Sequence, residues 1–186
     1  EIVERPGSIV ECGVFKGASF LTFLKLVEVY CPGDTLKKLI GFDTFKGFPS
    51  LSEKDGASNP NRDLVEGGFN SEGFLPYLEE VVDLTQRDSM IPRFKRVELV
   101  KGDVTKTIPE YVERNPGLRI SLLHLDMDIY EPTLTALQQL YPLVVPGGVV
   151  LFDEYAMAGF PGESQAFDDY LEGNAPVMKK FPFIST

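Results

Sequence analysis

The sequence predicts an α/β fold: a doubly wound, mostly parallel β-sheet with helices on both faces, in a single domain over residues 1–186. Short apolar runs alternate along the chain with segments whose apolar residues recur at helical spacing. The apolar runs lack the polar alternation of a sheet with one face in water, which favours parallel strands buried on both faces. An acidic residue lies at the end of each run, and such sheets bind ligands beyond the carboxyl ends of their strands.

The first elements have clear stop signals. A predicted strand over residues 8–12 ends at Gly13, and a predicted helix over 18–30 ends at the Cys31-Pro32-Gly33 sequence. The apolar run over 36–42 predicts the second strand.

The later elements repeat this alternation. In chain order they are a strand over 97–101, a helix over 108–114, a strand over 119–125, a helix over 132–140, a Pro146-Gly147-Gly148 turn and a strand over 149–152. This order predicts repeated β-α-β units and therefore a parallel sheet.

The segment of about 48–95 is too long for a simple strand–helix–strand connection. It begins as a polar, glycine-containing loop over 49–68 and continues into a helix-like run over 72–87. A long excursion of this kind is typical of a lid or binding loop, or of a disordered segment. We interpret it as a lid insertion and expect it to be mobile in the ligand-free protein.

Charge and composition exclude some classes of partner. The chain contains 18 Lys and Arg against 28 Asp and Glu, a formal net charge of −10. This sign disfavours binding to nucleic acid or to an anionic membrane. No apolar run is long enough to span a membrane, and Cys12 and Cys31 lack the spacing of a metal or disulfide framework. We therefore expect a cytoplasmic protein.

Acidic residues mark the carboxyl edge of the predicted sheet. They are Glu11, Asp43, Asp103, Asp126 and Asp153. One such residue is ordinary as a helix cap or a solvated turn, but five at successive strand ends exceed what capping requires. An edge of this kind suits hydroxyl and amine donors and cations, and it does not suit a triphosphate.

The turn after the first strand contains two glycines, Gly13 and Gly17. Glycines at such a position allow a tight turn and close approach of the backbone to a ligand. The spacing is neither the dinucleotide fingerprint nor a P-loop, so a plain strand-to-helix turn remains an alternative.

Two further acids suggest an adenosyl ligand. A carboxylate at the position of Asp43 commonly accepts hydrogen bonds from both ribose hydroxyls. Asp103, which follows Gly102, would then lie on the adenine side. The alternative for Asp103 is that it caps the helix beginning near Thr105.

Three carboxylates at the ends of the last two strands predict a metal site. Asp126, Asp153 and Glu154 would converge there, and their repulsion would be relieved by a divalent cation. Oxygen ligands favour Mg²⁺ or Ca²⁺ over Zn²⁺. We assign Asp128 to capping of the following helix. His124, the only histidine, is either a catalytic base or a buried, hydrogen-bonded residue.

Four motifs together resemble the macrocin-type O-methyltransferases, which are class I S-adenosylmethionine enzymes with a Rossmann-like fold. The motifs are Glu11-Cys12-Gly13-Val14-Phe15-Lys16-Gly17, the run from Gly41 to Pro49, the run from Leu125 to Thr133, and Pro146-Gly147-Gly148 with Phe152-Asp153-Glu154-Tyr155. The resemblance extends from about residue 8 to 172. The chain departs from it at Glu154, where the family usually has a second Asp.

The resemblance implies a cofactor site and a metal site. It places S-adenosylmethionine at the first turn and the second strand end, for which the candidate residues are Glu11, Gly13, Val14, Phe15, Lys16, Gly17, Ser19, Asp43, Thr44, Phe45, Gly47, Gly102 and Asp103. It places Mg²⁺ at Asp126, Asp153 and Glu154. Asp126 would also be the catalytic base, with His124 as the second catalytic candidate.

The expected function is Mg²⁺-dependent methyl transfer from S-adenosylmethionine to a hydroxyl of a small molecule, such as the sugar of a glycosylated natural product. A catechol-type O-methyltransferase is the alternative within the same class. A non-catalytic relative that binds the adenosyl ligand is the alternative outside it. The resemblance also leaves a homodimer open.

Overall fold

The computed structural model describes residues 2–56, 64–174 and 176–180. Within them a five-stranded sheet has the order β3-β2-β1-β4-β5, and every neighbouring pair is parallel. The strands are β1 Ser8–Cys12, β2 Leu39–Asp43, β3 Val97–Lys101, β4 Ile120–Leu125 and β5 Val144–Phe152. The order reverses between β1 and β4, which makes that crevice the expected ligand site. The predicted doubly wound α/β fold is confirmed.

Five helices cover the sheet. They are α1 Ala18–Tyr30, α2 Leu75–Arg87, α3 Val104–Arg114, α4 Tyr130–Leu140 and α5 Pro161–Leu171, with 3₁₀ turns at Glu53–Asp55, Glu72–Phe74 and Tyr141–Leu143. No helix in the described part of the chain is both long enough and apolar enough to span a bilayer.

Among the element boundaries that differ from the prediction, two have a clear local cause. The second strand begins at Leu39 rather than at residue 36, because the Asp34 carboxylate accepts hydrogen bonds from the backbone N–H groups of Leu36 and Lys37 at 2.9 and 3.1 Å. Those bonds close a turn before the strand. The third helix begins at Val104 rather than at residue 108, because Asp103 caps it.

The predicted turn at Pro146-Gly147-Gly148 is wrong, because β5 continues through these residues. Ile120 pairs with Val144 whereas Leu122 pairs with Val149, so extra residues bulge out of β5 between the two pairs. Gly147 has a φ of 77°, which a glycine adopts at little cost. The final helix, α5, was not predicted from the sequence.

The core lies on both faces of the sheet. On one face α3, α4 and α5 bury Ile108, Leu137 and Phe167 among others. On the other face α1 and α2 pack together through Leu24, Leu78 and neighbouring apolar side chains. Part of the predicted lid insertion is therefore built into the core, since α2 belongs to it. Residues 57–63 of the insertion lie outside the described residues, and its mobility stays a prediction.

We expect Leu78→Ala to lower the free energy of unfolding by about 2–5 kcal/mol, because Leu78 is buried and its loss leaves a cavity. The matched control is Leu84→Ala on the exposed face of the same helix, which should change stability by less than about 0.5 kcal/mol. Urea unfolding of both variants checks this. Equal, small losses would show that α2 does not depend on the core.

Candidate active site

A cavity of about 280 Å³ lies at the carboxyl edge of the sheet. Its wall is formed by several elements: the β1–α1 turn, the loop after β2, the insertion, the ends of β4 and β5, and the start of α5. The lining residues are Gly13, Phe15, Asp43, Thr44, Gly47, Phe48, Pro49, Phe69, Val104, Asp126, Met127, Asp128, Ile129, Pro132, Asp153, Glu154, Met157 and Phe160.

The turn after β1 crosses directly over the end of β4. Gly13 has a φ of 94°, and a Cβ there would lie 1.6 Å from the carbonyl oxygen of Asp126. The backbone N–H of Asp126 donates to the carbonyl of Cys12 at 2.9 Å, which extends the β1–β4 pairing to this point. Only glycine fits, and the turn and the first residue after β4 are therefore fixed relative to each other.

Asp43 joins the two loops on the β1–β2 side of the cavity. Its Oδ2 accepts a hydrogen bond from the backbone N–H of Phe15 at 2.6 Å, and its Oδ1 accepts one from the N–H of Phe45 at 2.5 Å. Desolvation raises the pKa of Asp43 and these backbone bonds oppose the rise. Because each carboxylate oxygen can accept more than one hydrogen bond, Asp43 can still accept hydrogen bonds from ligand hydroxyls.

Asp103 caps α3, as its alternative interpretation proposed. Its carboxylate accepts from the backbone N–H of Thr105 at 3.0 Å and lies 2.9 Å from the Lys106 ammonium. Burial tends to raise the pKa of Asp103, but the hydrogen bonds from Thr105 and Lys106 outweigh it and lower the pKa. Neither Gly102 nor Asp103 lines the cavity, although Val104 does.

Three carboxylates form what we call the acidic trio: Asp126, Asp128 and Glu154. One oxygen from each lies within 4.8 Å of the other two. Asp126 directly follows β4, and Asp128, two residues later, has a φ of 64°. The third member, Glu154, is held by its backbone N–H, which donates to Oε1 of Glu163 at 3.0 Å. Asp153 is exposed and lies outside the trio, although it lines the same cavity.

The trio is electrostatically unfavourable when its members are ionised. Desolvation is the largest cause of each shift, and it raises the pKa of Asp126 to about 7 and of Asp128 to about 6. Desolvation, followed by the charges of Asp128 and Glu163, raises the pKa of Glu154 to about 11. Oε2 of Glu154 is buried and has no hydrogen-bond partner among the described residues. Clustered carboxylates with an unsatisfied buried oxygen fit a hard divalent cation.

The assignment of Asp128 to a helix cap is wrong. The first residue of α4 is Tyr130, and its backbone N–H donates to Oδ1 of Asp55 at 2.6 Å. Asp55 belongs to the insertion, 75 residues earlier in the chain, and its side chain is buried. Because Asp55 caps the helix, the Asp128 carboxylate is available to a ligand in the cavity.

His124 lies behind Asp126 and does not line the cavity. Its Nδ1 is 3.7 Å from Oε1 of the buried Glu11, which also accepts from Oγ of Ser19 at 2.5 Å. Burial tends to lower the pKa of His124, but Glu11 and then Asp126 and Asp153 outweigh it and raise the pKa. His124 is buried, as the second alternative expected, but its Nδ1 has no hydrogen-bond partner among the described residues. Both its catalytic and its structural role stay predictions.

The structure divides the predicted site residues into two groups. Those that line the cavity are Gly13, Phe15, Asp43, Thr44, Gly47, Asp126, Asp153 and Glu154, and those that do not are Glu11, Val14, Lys16, Gly17, Ser19, Phe45, Gly102, Asp103 and His124. Within the second group, Gly17 packs directly against Leu78, since a Cβ there would lie 2.4 Å from its side chain. The binding roles themselves stay predictions.

Four rings form an aromatic wall of the same cavity that was not found from the sequence: Phe15, Phe48, Phe69 and Phe160. The Phe69 ring centroid lies 5.7 Å from that of Phe15, 5.5 Å from that of Phe48 and 6.2 Å from that of Phe160. These rings come from four distant parts of the chain, and no sequence spacing marks them as a group. For Asp128 the sequence did contain a signal, the Asp-Met-Asp run after β4, but that residue was assigned to a helix cap.

Solved structures place this architecture in the Rossmann-like class of methyltransferases. The crystal structure of the calicheamicin methyltransferase CalS11 is 34% identical, covers 100% of this chain and 72% of its own, and superposes with a TM-score of 0.91. An apo structure described as CalS11, a TDP-rhamnose 3'-O-methyltransferase, is 31% identical over 100% of this chain and 71% of its own, with a TM-score of 0.81.

The chain belongs to the macrocin O-methyltransferase family, whose model matches residues 2–177. A curated relative from Streptomyces olivaceus is 31% identical over 152 residues, and it is named as a 4'-O-methyltransferase of a rhamnosyl-tetracenomycin C. The match covers 82% of this chain but 54% of the relative, so the chain spans about half the length of that protein. The predicted family resemblance is confirmed.

We expect the metal-free protein to lose stability as the pH rises from about 4 to about 7. The pKa values of Asp126 and Asp128 rise from 3.8 to about 7 and about 6 on folding, so the folded state binds more protons than the unfolded state in this window. Asp128→Asn should therefore stabilise the metal-free protein near pH 8 and not near pH 4. Thermal unfolding in EDTA checks this, with the exposed Asp168→Asn as control. Equal stability of wild type and Asp128→Asn at both pH values would contradict the cost of ionising Asp128 in the folded state.

Proposed function

We propose that this chain transfers a methyl group from S-adenosylmethionine to a sugar hydroxyl of a natural product, with Mg²⁺ at the acidic trio. One observation supports this most directly: the glycine turn, Asp43 and the trio all line a single cavity. A site for an adenosyl donor and a site for a cation are therefore adjacent, which is the arrangement that a two-substrate methyl transfer requires. Family membership and the O-methyltransferase names of the relatives support the same reaction.

The donor would occupy the β1–β2 side of the cavity. Gly13 leaves the backbone open to close approach, and the Asp43 carboxylate faces the same space. Val104, at the start of α3, adds an apolar surface suited to an adenine ring. The remaining predicted donor residues of the turn and of the loop after β2 keep this wall in place.

The cation would be bound by Asp126, Asp128 and Glu154, with Asp153 of the same cavity as a further acidic ligand. The residues fit such an ion, because they offer only carboxylate oxygens and one of those oxygens is buried without a partner. Bound Mg²⁺ supplies Lewis acidity that lowers the pKa of an acceptor hydroxyl.

Asp126 is the residue best placed to accept the proton of the acceptor hydroxyl. It lies at the boundary between the turn at Gly13 and the rest of the trio, where donor and acceptor would meet. A cation bound at the trio would keep this carboxylate ionised and so able to accept a proton. The reaction is a displacement at the sulfonium methyl, and the fixed β1–β4 contact would orient the two substrates for it.

The acceptor would lie between the trio and the aromatic wall. Carboxylates hydrogen-bond to hydroxyls, and Phe48, Phe69 and Phe160 offer apolar surface to the less polar face of a sugar ring. These rings also exclude water from the transfer. The named substrates of two relatives contain a rhamnosyl group or TDP-rhamnose, which supports a sugar as acceptor here.

We expect Asp43→Ala to weaken binding of S-adenosylhomocysteine by roughly tenfold or more, because hydrogen bonds to a charged group are lost. Asp34→Ala is the matched control, since Asp34 also accepts from two backbone N–H groups but precedes β2 at the other edge of the sheet. Isothermal titration calorimetry measures both. Unchanged affinity in Asp43→Ala would remove Asp43 from the donor site.

We expect EDTA to abolish methyl transfer while S-adenosylhomocysteine still binds, and added Mg²⁺ to restore it. Asp126→Asn should stay inactive at saturating Mg²⁺, because it loses both a ligand and the base, whereas Asp128→Asn and Asp153→Asn should recover activity. Turnover with a methyl-labelled donor measures this, and it also separates an enzyme from a non-catalytic binder. Full activity of metal-free protein would contradict the role of Mg²⁺.

A further inference from the structure

A buried carboxylate lies where the insertion meets the first turns of α4 and α5. Asp55 is 2% exposed, and its oxygens accept three hydrogen bonds. The donors are the backbone N–H of Tyr130 at 2.6 Å, the backbone N–H of Ser52 at 2.7 Å and Oγ of Ser52 at 2.9 Å. A single side chain of the insertion therefore caps the first turn of α4.

The contact with α5 leaves no free space. A Cβ on Gly162 would lie 2.2 Å from Oδ1 of Asp55 and 2.7 Å from the backbone nitrogen of Tyr130. The second residue of α5 is thus packed directly against the hydrogen bond between Asp55 and Tyr130. We call these three residues the Asp55 joint.

The joint is connected along the chain to two members of the acidic trio. Asp128 precedes Tyr130 by two residues and has a φ of 64°, in the left-handed region. On the other side, Glu163 follows Gly162, and its Oε1 accepts the backbone N–H of Glu154 at 3.0 Å. The positions of Asp128 and Glu154 therefore both depend on where the joint holds its helices.

An exposed ion pair connects the same elements at the surface. The Lys54 ammonium lies 2.6 Å from Oδ2 of Asp169 and 2.7 Å from the hydroxyl of Tyr130. Solvent screens such an exposed pair, so it contributes little by comparison with the buried bonds of Asp55. Among the polar contacts, the buried bonds of Asp55 therefore form the stronger connection between the insertion and the trio, beside the apolar contact of Phe48 and Leu64 with Ile129.

We infer that Asp55 is a positioning residue, which acts from the insertion to set Asp128 and Glu154 in the geometry that binds the cation. The inference rests on the proposed function, because the cation belongs to it. Asp55 itself touches neither the trio nor the cavity. Its effect is exerted through the backbone of Tyr130 and through Gly162 and Glu163.

The test measures Mn²⁺ binding by electron paramagnetic resonance in the absence of donor and acceptor. Asp55→Ala should weaken Mn²⁺ binding by about 10- to 100-fold, as is usual when a residue that orients a metal ligand is lost. Asp55→Asn keeps one oxygen for Tyr130 and should lie between wild type and Asp55→Ala. Asp34→Ala, which removes a carboxylate with two backbone donors elsewhere, should leave Mn²⁺ binding unchanged.

Gly162→Ala provides a second route to the same joint, since it leaves Asp55 in place but inserts a methyl group against its Oδ1. It should also weaken Mn²⁺ binding, and it decides the matter if Asp55→Ala fails to fold. Wild-type affinity in folded Asp55→Ala or, failing that, in folded Gly162→Ala would overturn the inference while leaving the cation site intact. Absence of Mn²⁺ binding in wild type itself would overturn the cation site of the proposed function, and the positioning role with it.

Discussion

Three carboxylates lie within 4.8 Å of one another at the carboxyl edge of the sheet, and burial withholds the water that would otherwise screen them. Their backbones cannot separate to relieve the repulsion. Asp126 is fixed by its pairing with β1, and Glu154 by the bond to Glu163. The backbone of Asp128 is restrained by the start of α4, two residues later. The fold thus maintains clustered carboxyl groups whose ionisation costs stability, as is common where a site is built for a ligand.

The same contacts relate the two halves of the cavity. The turn at Gly13 lies against the carbonyl of Asp126, so the proposed donor site and the proposed base cannot move independently. Asp43 then joins that turn to the loop after β2. A methyl transfer depends on alignment of oxygen, carbon and sulfur, and rigid placement of both partners is what a protein can contribute to it. The aromatic wall around Phe69 closes the side that the sheet leaves open.

Local patterns were sufficient to predict much of this fold. The bounds of β1, α1 and β3 agree with the prediction, because each is defined by apolar spacing and by adjacent glycine or proline. The acidic residues at the strand ends could also be predicted, because each lies at the end of a well-defined apolar run. The cap of α4 could not be found, since Asp55 is distant in sequence and nothing near Tyr130 marks it. The bulge in β5 also depends on pairing with β4, and Pro146-Gly147-Gly148 alone is typical of a turn.

The most direct test of this account is a crystal structure of the protein with Mn²⁺ and S-adenosylhomocysteine, measured for the anomalous signal of manganese. The account predicts one manganese peak within ligand distance of Asp126 and Glu154, and the donor beside Gly13 and Asp43 with its sulfur directed towards that peak. A manganese site elsewhere, or a donor bound outside this cavity, would contradict it.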